Sequence, residues 1–252
     1  MKKVHRHIQW EVNNNIGILG LDNPPGNYLE SPEFIPVNLL KQLIESEEVK
    51  ALLITGTGKH FSGGASREHL ISMTQLDGKM IELMENGKTL LEYIEHLHIP
   101  AFAAIKGICF GGGLEIALSC HVRICTTNAL FAFPESNQNI IPGLGGIYRL
   151  REQSSFLNTL KLVLGGDMID AGEALQMKLV DHIVGNDELM GCSLKLVEKM
   201  TTGRPLKVIR YVMQALRNSS ELSFTEAMKE ETRMFCELAR EEAGKRIMND
   251  EL

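Results

Sequence analysis

Two stretches, Ala51-Leu-Leu-Ile-Thr-Gly56 and Ile99-Pro-Ala-Phe-Ala-Ala-Ile105, are short, almost wholly apolar, and run into a glycine. A strand with one wet face alternates polar and apolar residues. A strand apolar at successive positions must be covered on both faces, as in a parallel or mixed sheet flanked by helices. Val122-Arg-Ile-Cys-Thr-Thr127 and Ala129-Leu-Phe-Ala-Phe133 read as two more such strands. Between them, Pro36–Ser46 and Lys79–His96 repeat apolar residues at helical spacing (Val37, Leu40, Ile44; Ile81, Met84, Leu90, Leu91, Ile94). Alternation of this kind predicts an α/β fold.

The flanks follow the same logic. Val4–Trp10 and Ile16–Leu21, separated by Asn13-Asn-Asn15, predict a β-hairpin with an asparagine turn. Asp22-Asn-Pro-Pro-Gly-Asn27 halts regular structure, and a polar, Met-rich segment follows Ser66 as far as Asp77. From about Ser154 the pattern is mostly helical. Asp170-Ala-Gly-Glu173 has the form of a capped helix start, and Leu179–Val184 is a short extended candidate. Glu188–Met200, Leu206–Asn218 and Phe224–Arg246 predict three helices. Thr201-Thr-Gly-Arg-Pro205 interrupts them, which places a boundary near residue 200: a core over 1–200 and a helical region over 201–252.

Composition excludes several function classes. At 252 residues the chain is long enough to bury a large core. A net charge of −6 without a Lys/Arg run argues against nucleic acid as a partner. Five cysteines without a C-x-x-C pair read as reduced thiols of an intracellular protein, and the location expected is cytoplasmic. No secretory signal or run long enough to span a membrane is visible. The pairs His5/His7 and His96/His98 do not share a helix face, and no HExxH or clustered Cys/His spacing supports a metal. No serine lies in a G-x-S-x-G turn, so acyl-enzyme chemistry has no support.

The chemistry concentrates in residues 107–146. Gly111-Gly-Gly113 opens an apolar helical run whose first turn carries Glu115, and Glu135 follows Ala129-Leu-Phe-Ala-Phe-Pro134. Glycines entering a helix leave free N–H groups pointing at a ligand, with no Cβ in the way. Neither this stretch nor Phe61-Ser-Gly-Gly-Ala-Ser66 fits the dinucleotide or Walker pattern, so an oxyanion formed during a reaction is a candidate guest. The same glycines would equally serve two tight strand-to-helix turns. Glu115 reads as a surface acid at a helix start, or as half of a pair with Glu135 in a dry pocket, dividing general base from general acid.

Three segments in order, Ile105-Lys-Gly-Ile-Cys-Phe-Gly-Gly-Gly-Leu-Glu-Ile-Ala117, Phe131-Ala-Phe-Pro-Glu135 and Ile141-Pro-Gly-Leu-Gly-Gly-Ile-Tyr-Arg-Leu150, resemble the crotonase superfamily, the enoyl-CoA hydratase/isomerase family. The likeness runs from Leu21 to Glu231. It implies a spiral of ββα units with a helical C-terminal trimerisation region, assembled as a homotrimer or a dimer of trimers. It implies an acyl thioester of coenzyme A or of a carrier protein as substrate, coenzyme A entering as part of that substrate, with no separate cofactor and no metal. The backbone N–H groups of Ala65 and Gly112 would hold the thioester oxygen, with Ser66 and Gly143 also beside the substrate. Glu115 and Glu135 would be the catalytic acids of a hydro-lyase adding water to a 2-enoyl thioester. An isomerase, a decarboxylase or a non-catalytic thioester-binding paralogue on the same fold are the alternatives.

Overall fold

The computed structural model describes residues 1–76 and 78–250. In order they form β1 (Lys2–His5), β2 (Ile8–Asn13), β3 (Ile16–Leu21), α1 (Val37–Ser46), β4 (Ala51–Gly56), α2 (Arg67–Thr74), α3 (Lys79–Glu95), β5 (Ala101–Ile105), β6 (Ile108–Phe110) and α4 (Gly112–Ser119). There follow β7 (Val122–Thr126), β8 (Leu130–Ala132), a 3₁₀ turn (Ser136–Gln138), α5 (Gly146–Gln153), α6 (Phe156–Gly165), β9 (Ile169–Asp170), α7 (Ala171–Gln176), β10 (His182–Val184), α8 (Leu189–Thr201), α9 (Leu206–Glu221) and α10 (Phe224–Asp250). Contacts divide the chain into two compact units, Met1–Met200 and Thr201–Leu252.

The larger unit is built on a seven-stranded sheet in the order β1-β2-β3-β4-β5-β7-β10. From β3 to β10 every pairing is parallel. All residues of β3, β4 and β5 are buried. Their alternate positions divide between two faces. Ile16, Ile18, Ala51, Leu53, Phe102 and Ala104 pack with Leu189 and Val197 of α8, while Leu52, Ile54, Ala103 and Ile105 are fully buried on the other side. This covering on both faces is why these strands show no alternation. Truncating Phe102 to Ala would leave a cavity costing about 3–5 kcal/mol.

The predicted hairpin forms between β2 and β3, pairing Asn13 with Ile16 across Asn14-Asn15. Both turn residues lie at positive φ, as a two-residue turn matching strand twist requires. The Val4–Trp10 run is not one strand, however. Arg6-His7 breaks it, His7 adopting φ 59°, and β1 folds back antiparallel on β2.

The run Ala129–Phe133 does not join the large sheet either. It supplies β8 to a three-stranded sheet, β6-β8-β9. Its companion β6 is three residues long, too short to show periodicity. The chain thus goes from a large-sheet strand to a small-sheet strand to a helix, as β5-β6-α4 and again as β7-β8 with its 3₁₀ turn. The segment from β4 to α2 repeats this in reduced form, since Ser62 makes one parallel bridge to Cys109 in β6. Repetition is structural, without repeated sequence.

The smaller unit contains α9 and α10. Lys207 joins Glu237 of α10 at 2.6 Å and pairs also with Glu241. Val212, Leu216, Phe224 and Phe235 lie exposed on it.

Candidate active site

The small sheet positions the reactive groups because its strands end together. Beyond β4, the loop 61–65 lies alongside β6: the Ser62 N–H donates to the Ile108 carbonyl, and the Phe110 N–H donates to the Ser62 carbonyl. A buried polar knot fixes this loop. Asn27, 2 % exposed, donates from Nδ2 to the carbonyls of Thr57 and His60 at 2.9 and 2.8 Å. The Ser62 hydroxyl donates to the Asn27 carbonyl at 2.7 Å and accepts the Gly64 N–H at 3.1 Å. Gly64 has φ +75°, and a Cβ there would come within 2.6 Å of the Phe110 carbonyl oxygen and 3.0 Å of the Gly112 nitrogen. Only glycine allows both the conformation and the approach.

That approach brings the turn carrying Ala65 against the start of α4. Gly112 is the first residue of α4, where backbone donors have no partner within the helix. Among the described residues, no acceptor is paired with the N–H of Gly112 or of Ala65. Both residues line one cavity of about 260 Å³, together with Glu115, Glu135 and Gly143. Ser66 stands apart: its hydroxyl accepts the His69 N–H at 3.1 Å and caps α2. The sequence showed this stretch only as polar and Met-rich. α2 carries few apolar residues, and its cap does much to define it.

The two glutamates reach the cavity differently. Glu115, 2 % exposed, projects from the first turn of α4. Its Oε1 accepts the N–H groups of Leu144 and Gly146 at 2.7 and 2.9 Å. Burial is the largest influence and leaves its carboxyl above the ordinary carboxylate range, although those two donors and the charge of Arg149 pull it part of the way back. Arg149, itself 5 % exposed, holds the donor turn: Nη1 donates to the Leu144 carbonyl at 2.7 Å, and Nε to Glu95 at 2.9 Å.

Glu135 follows β8 and heads the 3₁₀ turn, its carbonyl accepting the N–H groups of Gln138 and Ile140. Its carboxyl lies over Gly111, where φ is +49° and a Cβ would sit 2.6 Å from Oε1. Oε2 is buried and has no hydrogen-bond partner among the described residues. Burial pushes this carboxyl up to about 7, with the Glu115 charge adding to the shift. Two carboxyls in one cavity, one engaged by backbone donors and the other with an oxygen left unpaired among the described residues, can move protons in opposite directions on one substrate.

Sequence reasoning missed Asn27, Ser62, Glu95 and Arg149, which hold the reactive groups without lining the cavity. A lone Arg in Gly-Gly-Ile-Tyr-Arg-Leu150 was the one available signal, since an arginine in an apolar stretch needs buried acceptors. Among the described residues, no group of three or more His, Cys, Asp or Glu is placed to hold a metal ion, and no helix is long and apolar enough to cross a membrane.

Comparison with known proteins agrees with this architecture. The family model for enoyl-CoA hydratase/isomerase matches residues 11–249. A probable enoyl-CoA hydratase of Bacillus subtilis is 31% identical over 240 residues, 94% of this chain and 92% of that protein. The short-chain-enoyl-CoA hydratase of Clostridium acetobutylicum is 30% identical over 230 residues, 90% of this chain and 87% of that protein. The crystal structure of an enoyl-CoA hydratase from Thermoplasma volcanium superposes with a TM-score of 0.80 at 25% identity, covering 93% of this chain and 92% of that one. On the family match, the length of the likeness and the shared fold, the chain belongs to the enoyl-CoA hydratase/isomerase family.

Proposed function

We propose that the chain is a hydro-lyase that adds water reversibly to a 2-enoyl thioester. The observation that carries this reading is the convergence of two unpaired backbone donors, on Ala65 and Gly112, with two buried carboxyl groups in one cavity. The donors would bind the thioester oxygen and strengthen their hold as it gains charge in the enolate, a difference worth about 3 kcal/mol per donor in comparable sites. Glu115, its Oε1 fixed by Leu144 and Gly146, keeps Oε2 to orient and deprotonate the attacking water. Glu135 then gives its proton to the α-carbon. In dehydration the same groups act in reverse, Glu135 removing the α-proton and Glu115 protonating the departing hydroxyl.

Bookkeeping supports the division of roles. Water contributes hydroxide to the β-carbon and a proton to Glu115, Glu135 contributes a proton to the α-carbon, and the enolate collapses to the thioester. Each cycle leaves Glu115 protonated and Glu135 ionised, and proton exchange restores both. No redox step or further cofactor enters, coenzyme A or a carrier pantetheine serving as the handle of the substrate. The hydratase names of the relatives at 31% and 30% identity point the same way.

The direct test is hydration of crotonyl-CoA, followed by loss of its conjugated absorbance and by identification of the 3-hydroxyacyl product. Hydration by the native chain and its loss in Glu135→Gln are expected. Formation of a 3-enoyl isomer, or carbon dioxide release from a malonyl-type thioester in place of hydration, would replace this reading with isomerisation or decarboxylation. Assembly into a homotrimer or a dimer of trimers is part of the same proposal. The apolar exposure of Phe156, Leu157 and Leu164 on α6, and separately of Phe224 and Phe235 on α10, supports it. Light scattering on the eluted protein would measure the mass directly.

A further inference from the structure

The wall of the cavity away from the donors is apolar. Leu70 and Met73 come from α2, Met80 and Met84 from α3, and Ile140 and Ile141 from the loop after the 3₁₀ turn. Besides the two glutamates, the polar side chains Ser31, His69 and Gln138 interrupt this lining. His69 faces the same cavity, and its Nε2 is buried without a hydrogen-bond partner among the described residues. An unpaired buried polar atom carries a desolvation penalty, so it asks for a reason. Gln138 also lines the cavity but is exposed, and water can satisfy it.

His69 is not loosely placed. Its N–H is held by Ser66, the residue after Ala65, at 3.1 Å. One turn on, Met73 shares its helix face. The neighbours Ser72 and Thr74 turn their hydroxyls back to the carbonyls of His69 and Ile71 at 2.8 and 2.7 Å. The cap that sets α2 therefore also fixes His69 relative to the thioester donors.

Resting on the thioester reading above, we propose that His69 is a specificity-determining residue, and that the acyl chains it selects carry a neutral oxygen function, a hydroxyl or a carbonyl, beyond the reacting double bond. The free Nε2 offers one hydrogen bond among methionine and aliphatic side chains, as donor or acceptor according to tautomer. A carboxylate fits less well. Burial favours the uncharged ring, and among the described residues the charge acting on it is the negative one of Glu30, so an anionic chain would meet no counter-charge from them.

The test compares binding of three saturated acyl-CoA thioesters of equal length, ending in methyl, hydroxyl or carboxylate, by titration calorimetry on the native chain, His69→Leu and His69→Gln. The native chain should prefer the hydroxyacyl over the alkyl form by about tenfold. His69→Leu should reverse that order, and His69→Gln should restore part of it. A long-range nitrogen–proton spectrum should show the Nε2 resonance shifting with the hydroxyacyl ligand more than with the alkyl one. Equal affinities on the native chain, a preference that survives in His69→Leu, or tightest binding of the carboxylate would each overturn the proposal. Because these ligands can be neither hydrated nor dehydrated, binding is read without turnover. The preference without hydration of crotonyl-CoA would refute the hydratase reading and keep this one, while hydration without the preference would do the reverse.

Discussion

Glu115 and Glu135 share a cavity yet are built in opposite ways. Glu115 is carried by a helix, and one of its oxygens is fully engaged by two N–H donors whose turn is in turn clamped by Arg149. Glu135 is carried by a loop, with one oxygen over a bare glycine and the other buried without a partner among the described residues. Two backbone donors and Arg149 offset part of the burial penalty on a charged Glu115, while Glu135 has only its own backbone N–H to do so. Burial alone acts on both. What separates them is the count of donors, and on the proposed mechanism this divides the base from the acid between two identical side chains.

Several experiments would break or sharpen this contrast. The largest effect is expected from replacing either acid by its amide. Glu115→Gln and Glu135→Gln should each slow hydration by about 10³-fold, within the range of general acid–base effects. The two should diverge in exchange of the α-proton of a saturated acyl-CoA with solvent, measured by mass spectrometry. Glu135→Gln should abolish exchange and Glu115→Gln should retain it, and the opposite pattern would exchange the assigned roles. Gly112→Pro comes next. It deletes the N–H proposed to hold the thioester oxygen, at the helix position where proline is best tolerated, and should cost about 10²–10³-fold in kcat with the helical circular dichroism unchanged.

Smaller effects should fall on one acid at a time. Gly111→Ala puts a Cβ where the Glu135 carboxyl lies, and should reduce kcat by about 10²-fold while leaving Glu115 seated. Arg149→Met frees the 144–146 turn, and should lower kcat by about tenfold with thioester binding nearly intact, as measured by calorimetry. The smallest effect is on stability. A Glu135 carboxyl raised from 4.5 to about 7 binds its proton more tightly folded than unfolded. Its contribution is favourable below the unfolded value and is lost as pH rises through the folded one. Glu135→Gln should therefore gain stability relative to the native chain between pH 5 and 8, by roughly 2 kcal/mol in urea titrations. A difference independent of pH would mean that Glu135 is ionised throughout.

Much of this was legible in the residues, and the limits are physical. Ala51–Gly56 and Ala101–Ile105 announced a doubly covered sheet because burial on both faces leaves an uninterrupted apolar run. Asn14-Asn15 announced the hairpin because few other residues tolerate its φ values. Strands of three residues, such as β6 and β8, carry no period, so the sheet that holds the site could not be told from the larger one. Glu115 and Glu135 stood out as acids among apolar neighbours, but their pairing depends on two chain reversals. The supports Asn27 and Arg149 were harder to find, because their partners are backbone carbonyls, and carbonyls are present at every position.

The bare glycine under Glu135 has a consequence for how such a protein can be altered. On the proposed mechanism the parts around its two carboxyls are main chain: donors from Ala65 and Gly112, a space at Gly111, and a turn at 144–146. Side-chain variation can scarcely touch these parts, since at Gly64 or Gly111 any substituent collides with what is already there. The opposite wall, from His69 through Met84 to Ile141, is side chain alone. A library confined to that wall would explore new substrates while inheriting the chemistry unchanged. One that included the glycines would sample mainly inactive chains.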